Sequence, residues 1–197
     1  MSLSTAALIL LASGRATRFG ADKLMASLDG APVLSRAADL GVGDGPIARL
    51  AVVAPDQTER RALLSAKGWT LIDNPHPEHG QSEALKYGID AALDTPAERF
   101  VVVLGDMPFV IDSHLSALAG AVEKGADAAI SLSGGQRMAP AAFARRTAPI
   151  LMTAAGDAGA GPLLKQMNTV VDVPMAPENA RDIDTPSDLS KAEAAYG

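Results

Sequence analysis

Leu10-Leu11-Ala12-Ser13-Gly14-Arg15-Ala16-Thr17-Arg18-Phe19-Gly20-Ala21-Asp22-Lys23-Leu24 is the stretch on which the reading of this chain turns. The apolar run 6–11 is strand-like and feeds a loop with two glycines, Gly14 and Gly20, and three cations, Arg15, Arg18 and Lys23. The chain as a whole carries a net charge of −6, so a local basic loop needs a local reason. Glycines let backbone N–H groups come close to a ligand, and the cations neutralise it. Both features fit an anion held beyond the end of a strand, and a nucleoside triphosphate is the anion they point to.

Composition sets the outer bounds. The 197 residues are 48% hydrophobic and 20% charged, enough for one domain, 1–197, with a full core. The acidic balance argues against nucleic acid and against an anionic membrane surface as partners. There is no cysteine, which excludes disulfides, thiolate metal sites and a cysteine nucleophile and fits a cytoplasmic protein. The first apolar run is too short to span a membrane and lacks a basic segment before it.

Strand-length apolar runs recur at 49–54, 69–72, 100–104, 126–132 and 169–173. Helical patterns lie between them. Leu115, Leu118, Ala119 and Val122 fall on one face, as do Leu85, Ile89 and Ala92. Segments 32–40 and 58–66 read as further helices. Thr185-Pro186-Ser187-Asp188 is a capping box with proline at the first helical position. Continuously apolar strands alternating with helices predict an α/β fold, a three-layer, doubly wound, mostly parallel sheet of the Rossmann-like kind. The stretch 134–161, rich in Gly, Ala and Arg, reads as a less regular segment facing a substrate.

In such a sheet, ligands bind beyond the carboxyl ends of the strands, and three further segments fall there. Gly105-Asp106 follows the most apolar strand, with Asp106 placed to hold a hard cation such as Mg²⁺. Asp182 and Asp184 alternate about Ile183, so on extended backbone both face one way and can complete that metal site. Asn74, Gln81 and Ser82 belong to a polar loop ending at a helix N-terminus, where a nucleobase edge or an anion can be bound. His76 and His79 form an H-x-x-H, but with a proline between them and no third ligand nearby a metal role is set aside. The first loop has neither the P-loop spacing nor the dinucleotide Gly-x-Gly-x-x-Gly, and no Gly-x-Ser-x-Gly hydrolase elbow occurs.

Together these motifs resemble the MobA-like nucleotidyltransferase family. Its signature, Leu-Ala-x-Gly-x-x-x-Arg-x-Gly-x-x-Lys, is matched by Leu11, Ala12, Gly14, Arg18, Gly20 and Lys23. Gly105-Asp106-Met107-Pro108 and Asp182-Ile183-Asp184-Thr185-Pro186 also look like that family's elements. Within the family the chain looks most like the molybdenum cofactor cytidylyltransferases, through Gly80-Gln81-Ser82-Glu83-Ala84-Leu85 with Gly88, and Gly156-Asp157-Ala158-Gly159-Ala160 with Leu163-Leu164.

The resemblance implies that Leu11, Ala12, Ser13, Gly14 and Arg15 line the nucleotide, with Asn74, Gln81, Ser82 and Gly105 contributing. It implies that Arg18 and Lys23 bind the triphosphate, and that Asp106 carries Mg²⁺ with Asp182 or Asp184. The catalytic set is then Arg18, Lys23 and Asp106. The implied reaction transfers CMP from CTP to the terminal phosphate of a molybdopterin-type acceptor, with release of pyrophosphate. A molybdoenzyme or its chaperone is the implied partner. Relatives that use GTP carry Leu-Ala-Gly-Gly in the first loop and those that use CTP carry Leu-Ala-Ala-Gly. Ser13 matches neither and is sterically nearer Ala. The alternatives are a guanylyltransferase, another phosphorylated acceptor, a reductase-type member and a non-catalytic cofactor carrier.

Overall fold

A computed structural model of the chain describes residues 3–15, 19, 21–43 and 45–194. Seven strands form the main sheet: β1 (Ala6–Leu11), β4 (Ala48–Val53), β5 (Thr70–Asp73), β6 (Arg99–Leu104), β7 (Ala128–Ser133), β8 (Gln136–Ala144) and β9 (Val170–Pro174). Their order is β5-β4-β1-β6-β8-β7-β9. All pairings are parallel except those of β8, which runs antiparallel to both neighbours. Two short strands, β2 (Ser27–Leu28) and β3 (Ala31–Pro32), make a separate hairpin. The helices are α1 (Val33–Ala37), α2 (Thr58–Ala66), α3 (Gln81–Leu93), α4 (Asp112–Glu123), α5 (Ala148–Leu151) and α6 (Pro186–Ala194).

The central strands β1 and β6 are almost wholly apolar, Arg99 at the start of β6 excepted, because both faces of the sheet are covered. Leu8 and Leu10 of β1 pack on one side with Leu34, Leu64, Leu115 and Leu118. Ala7, Ile9 and Leu11 pack on the other with Leu85, Ile89, Phe100 and Phe143. Burying side chains of this size contributes about 1.5–3 kcal/mol each, so β1 and β6 anchor the molecule from its middle. At Gly88 a Cβ would stand 2.5 Å from Ile9 Cγ2, so glycine lets α3 lie close against β1.

The expected three-layer architecture is present, with two local differences. Segment 32–40 holds a helix only over Val33–Ala37, because Pro32 is extended and pairs in the β2–β3 hairpin. The stretch 134–161 contains a nine-residue strand, β8. Its alanines gave no strand signal, since alanine has low β-propensity. What places it is burial between β6 and β7.

The chain leaves β1 to form β4 and β5 on one side, then returns to place β6 on the other side of β1. The sheet therefore reverses direction beside β1, and the carboxyl ends of β1 and β6 border a crevice of the kind that holds ligands in open α/β sheets.

Candidate functional site

A cleft of about 700 Å³ opens at this reversal. Its walls are the backbone of Ala12–Arg15, the Gly80–Gln81 turn before α3, and the Gly105–Asp106 end of β6. The first loop starts rigidly: Ala12 N–H donates to Val52 O at 2.9 Å and Gly105 N–H to Leu11 O at 3.0 Å. A Cβ at Gly105 would meet Leu34, Leu24 and the Leu11 carbonyl at 3.0–3.4 Å, so glycine lets β6 end close against β1. At Gly14, by contrast, no atom of the described residues lies within 4 Å of such a Cβ, so the glycine faces open space at the cleft.

Lys23 stands on the cleft floor. Its Nζ donates to Asp106 Oδ2 at 2.7 Å and to Asp184 Oδ1 at 2.6 Å. Desolvation pulls the ammonium's pKa down, but the two carboxylates more than offset it and hold it above lysine's ordinary value. Asp106 Oδ1 is buried and has no hydrogen-bond partner among the described residues. A lone buried carboxylate oxygen is costly, and a hard cation is one group that would satisfy it.

Asp182 and Asp184 flank Ile183 as the alternation predicts. Ile183 is buried with Leu28, Val33, Phe109 and Ala192, and its N–H donates to Asp106 O at 2.9 Å. The pair is thereby docked onto the end of β6. Asp184 is followed directly by the expected capping box, in which Asp188 N–H donates to Thr185 Oγ1 and Thr185 N–H to Asp188 Oδ2. Partial desolvation, then the like charge of Asp184, push the Asp182 carboxyl above the ordinary carboxylate range. Asp106 adds to that shift and Lys23 opposes it. Lys23 joins Asp106 to Asp184. The three carboxylates are not gathered into one three-ligand cluster among the described residues.

The other expected residues fall into groups. Leu11, Ala12, Ser13, Gly14, Arg15, Gln81 and Gly105 line the cleft. Arg15 lies at its rim, paired with Asp56 at 2.7 Å. Asn74 is fully buried beneath the loop and donates to Ser13 Oγ at 2.9 Å, so it braces the loop from below. Ser82 is buried, and its hydroxyl has no hydrogen-bond partner among the described residues. It does not line the cleft. Arg18 lies outside the described residues.

Arg60 is a residue the sequence reading missed. It is 3% exposed and donates to Ala12 O at 2.6 Å and Gly14 O at 2.9 Å. It also grips Asp22 through Nε and Nη2, with contacts of 2.7–3.1 Å. One guanidinium thus ties the start of the first loop to its end. The signal was present: Arg60 stands four residues before the buried Leu64, on the inward stripe of α2.

A smaller, mostly apolar cavity of about 230 Å³ adjoins the cleft, sharing Leu11, Gln81 and Leu104 with it. The segment 158–161 and Arg137 border this cavity, and Arg137 is paired with Asp172 at 2.7 Å. Gly80 has φ +86°, and a Cβ there would stand 2.1 Å from Asp157 Oδ1, so the turn before α3 fits tightly against the segment that begins at Gly156.

Residues 8–170 match the model of the MobA-like NTP transferase domain. The chain belongs to that family. The purine catabolism protein PucB of Bacillus subtilis is 27% identical over 201 residues, covering 95% of each chain. The bifunctional protein GlmU of Roseobacter denitrificans is 34% identical over 128 residues, which are 63% of this chain and 28% of GlmU. The chain therefore spans little more than a quarter of GlmU and nearly all of PucB. Two solved structures share the fold. Molybdopterin-guanine dinucleotide biosynthesis protein A of Archaeoglobus fulgidus has a TM-score of 0.75 at 22% identity, covering 96% of this chain and 98% of that one. Rv0371C of Mycobacterium tuberculosis in complex with manganese has a TM-score of 0.76 at 19% identity, covering 97% and 99%. The family match makes this chain a nucleotidyltransferase of the MobA-like family, and the solved structures show the fold. Among the described residues, no helix is long and apolar enough to cross a membrane.

Proposed function

We propose that the protein transfers CMP from CTP to the terminal phosphate of a molybdopterin-type acceptor, releasing pyrophosphate, with Mg²⁺ as the metal. The observation that carries this reading is the Lys23–Asp106–Asp184 arrangement on the floor of the cleft, with one Asp106 oxygen buried and unpartnered among the described residues. A single ammonium shared between two carboxylates, beside an unsatisfied oxygen, matches a centre made for a metal-bound polyphosphate. The manganese held by the fold neighbour from M. tuberculosis supports a divalent ion.

Asp106, with Asp182 or Asp184, would hold the ion, which when bound supplies charge neutralisation at the α-phosphate. The chain's own residues then have distinct tasks. The backbone of Ala12–Arg15 lines the nucleotide. Lys23 transfers its hydrogen bonds from the carboxylates to phosphate oxygens and stabilises the charge that builds on the leaving pyrophosphate. Arg18 is proposed to share that task. The attacking acceptor phosphate is largely ionised at neutral pH, its second pKa being about 6. The site therefore needs no general base, and catalysis is positioning and electrostatics.

CTP is favoured over GTP because Ser13, at the start of the cleft-lining loop, is sterically nearer the alanine of the CTP-using relatives than the glycine of the GTP-using ones. The adjoining apolar cavity is of a kind to take a flat heterocycle, with Arg137 at its edge for a phosphate. The full-length likeness to PucB favours a second reading, in which the same cleft serves purine catabolism with a different acceptor. The deciding assay is pyrophosphate release with Mg²⁺ and each of the four NTPs, with and without molybdenum-loaded molybdopterin. Release with CTP that requires the cofactor supports the first reading. Release with GTP moves the base, and cofactor-independent silence moves the acceptor.

A further inference from the structure

The turn between β5 and α3 places together three side chains to which the proposed nucleotidyl transfer assigns no role. Pro77–His79 is a single 3₁₀ turn, with His76 immediately before it. A 3₁₀ helix has three residues per turn, so side chains at i and i+3 eclipse. His76 and His79 are spaced that way, and their rings stack with centroids 4.9 Å apart and planes 14° from parallel. The proline that counted against an H-x-x-H metal site in the sequence is thus the residue that starts the turn aligning the two imidazoles.

The missing third ligand is Glu78. Its Oε1 lies 3.3 Å from His76 Nδ1 and 3.8 Å from His79 Nε2. One ligand atom from each of the three residues falls within 4.8 Å of the others, close enough for one ion to be reached by all three after small side-chain adjustments. The turn's backbone is held independently of these side chains. His79 N–H donates to His76 O, and His76 N–H to the buried Asn74 Oδ1. Asn74 in turn braces Ser13 on the floor of the first loop.

We propose that His76, Glu78 and His79 form a binding site for a borderline divalent transition ion, with Zn²⁺ as the representative case. Two imidazoles and a carboxylate are a donor set for zinc-like ions, whereas Mg²⁺ prefers oxygen ligands and octahedral geometry. The two centres therefore select different metals. Glu78 and Pro77 line the nucleotide cleft, so the ion sits at its rim. All three ligands are exposed, leaving a fourth position for water or for an oxygen of a ligand in the cleft. The proposal rests on the turn's geometry and stands whether or not the acceptor is a pterin.

The test is calorimetric titration of Zn²⁺ into protein carrying no polyhistidine tag, with Mg²⁺ saturating to occupy any carboxylate centre. Wild type and Asp106→Asn are expected each to bind one equivalent. His76→Ala and His79→Ala are each expected to weaken binding by about tenfold or more, and the double variant to abolish it. Metal-free variants should unfold at the wild-type temperature, since both rings are exposed. Co²⁺ should give the visible absorption of a low-coordinate site in wild type and not in the double variant. No Zn²⁺ binding by wild type, binding that survives in the double variant, or binding lost in Asp106→Asn would each overturn the proposal.

Discussion

Asp22 and Lys23 are neighbours in sequence and belong to two ion pairs of opposite character. Asp22 holds Arg60, whose guanidinium also donates to two carbonyls of the first loop, and the buried cation's charge is matched. Lys23, one residue on, is shared between Asp106 and Asp184, and an Asp106 oxygen has no partner among the described residues. The first arrangement is closed and the second is open. A closed buried network specifies one geometry for the backbone around it. An open one holds unspent binding capacity, and such sites are where chemistry is found. Residue 22 thus fixes the loop, and residue 23 is the one proposed to use it.

The sharpest way to break this contrast is to remove each side separately. Lys23→Ala and Asp106→Ala should each reduce nucleotidyl transfer by about 10²-fold or more, the usual scale for a removed electrostatic stabiliser. Their urea unfolding midpoints should move little by comparison. Arg60→Met should do the reverse in stability: loss of the buried cation leaves carbonyls and Asp22 unpaired, and about 2–3 kcal/mol is expected in urea unfolding, discounted because Asp22 is partly exposed. Comparable stability losses in both groups would erase the distinction.

A smaller effect tests the cap that follows Asp184. Thr185→Ala removes the cap that fixes the backbone after Asp184 and should cost about 1 kcal/mol, with weaker metal binding as a second consequence.

The smallest expected effect carries a sign. Asp182 has its pKa raised in the folded protein, so the folded state holds that proton more tightly than the unfolded chain does. Its ionised form therefore opposes folding. The penalty is absent below the ordinary carboxylate pKa and complete above the raised one. Asp182→Asn should stabilise the metal-free protein by a few tenths of a kcal/mol at pH 7, after allowance for solvent screening, and the gain should vanish as pH falls through the carboxylate range. Adding Mg²⁺ should stabilise wild type more than this variant. Thermal unfolding at two pH values, with and without Mg²⁺, measures both.

How legible these features were follows the same physics. The parallel core was readable because strands buried on both faces must be apolar without alternation, as β1 and β6 are. The docking of residues 182–184 was readable in part: an isoleucine between two carboxylates marks an inward position, and Ile183 is buried, but which of the two carboxylates would reach Lys23 was not readable, and it is Asp184 that does. The capping box at Thr185 is local chemistry and survived intact. Strand β8 was not readable, since its alanines carry no signal until β6 and β7 close around them. Arg60 was hidden by its residue type: an arginine in a charged helix looks solvated until the loop it ties is known. The eclipsing of His76 and His79 depends on a 3₁₀ turn, which the residue spacing does not specify on its own.

The most direct test of the open centre is titration of the protein with Mn²⁺ in the presence of CTP, followed by the loss of the free ion's magnetic resonance signal. The account predicts one tightly held ion per wild-type chain with nucleotide present, and at least about a tenfold loss of affinity in Asp106→Asn. Equal Mn²⁺ binding by wild type and Asp106→Asn would contradict it.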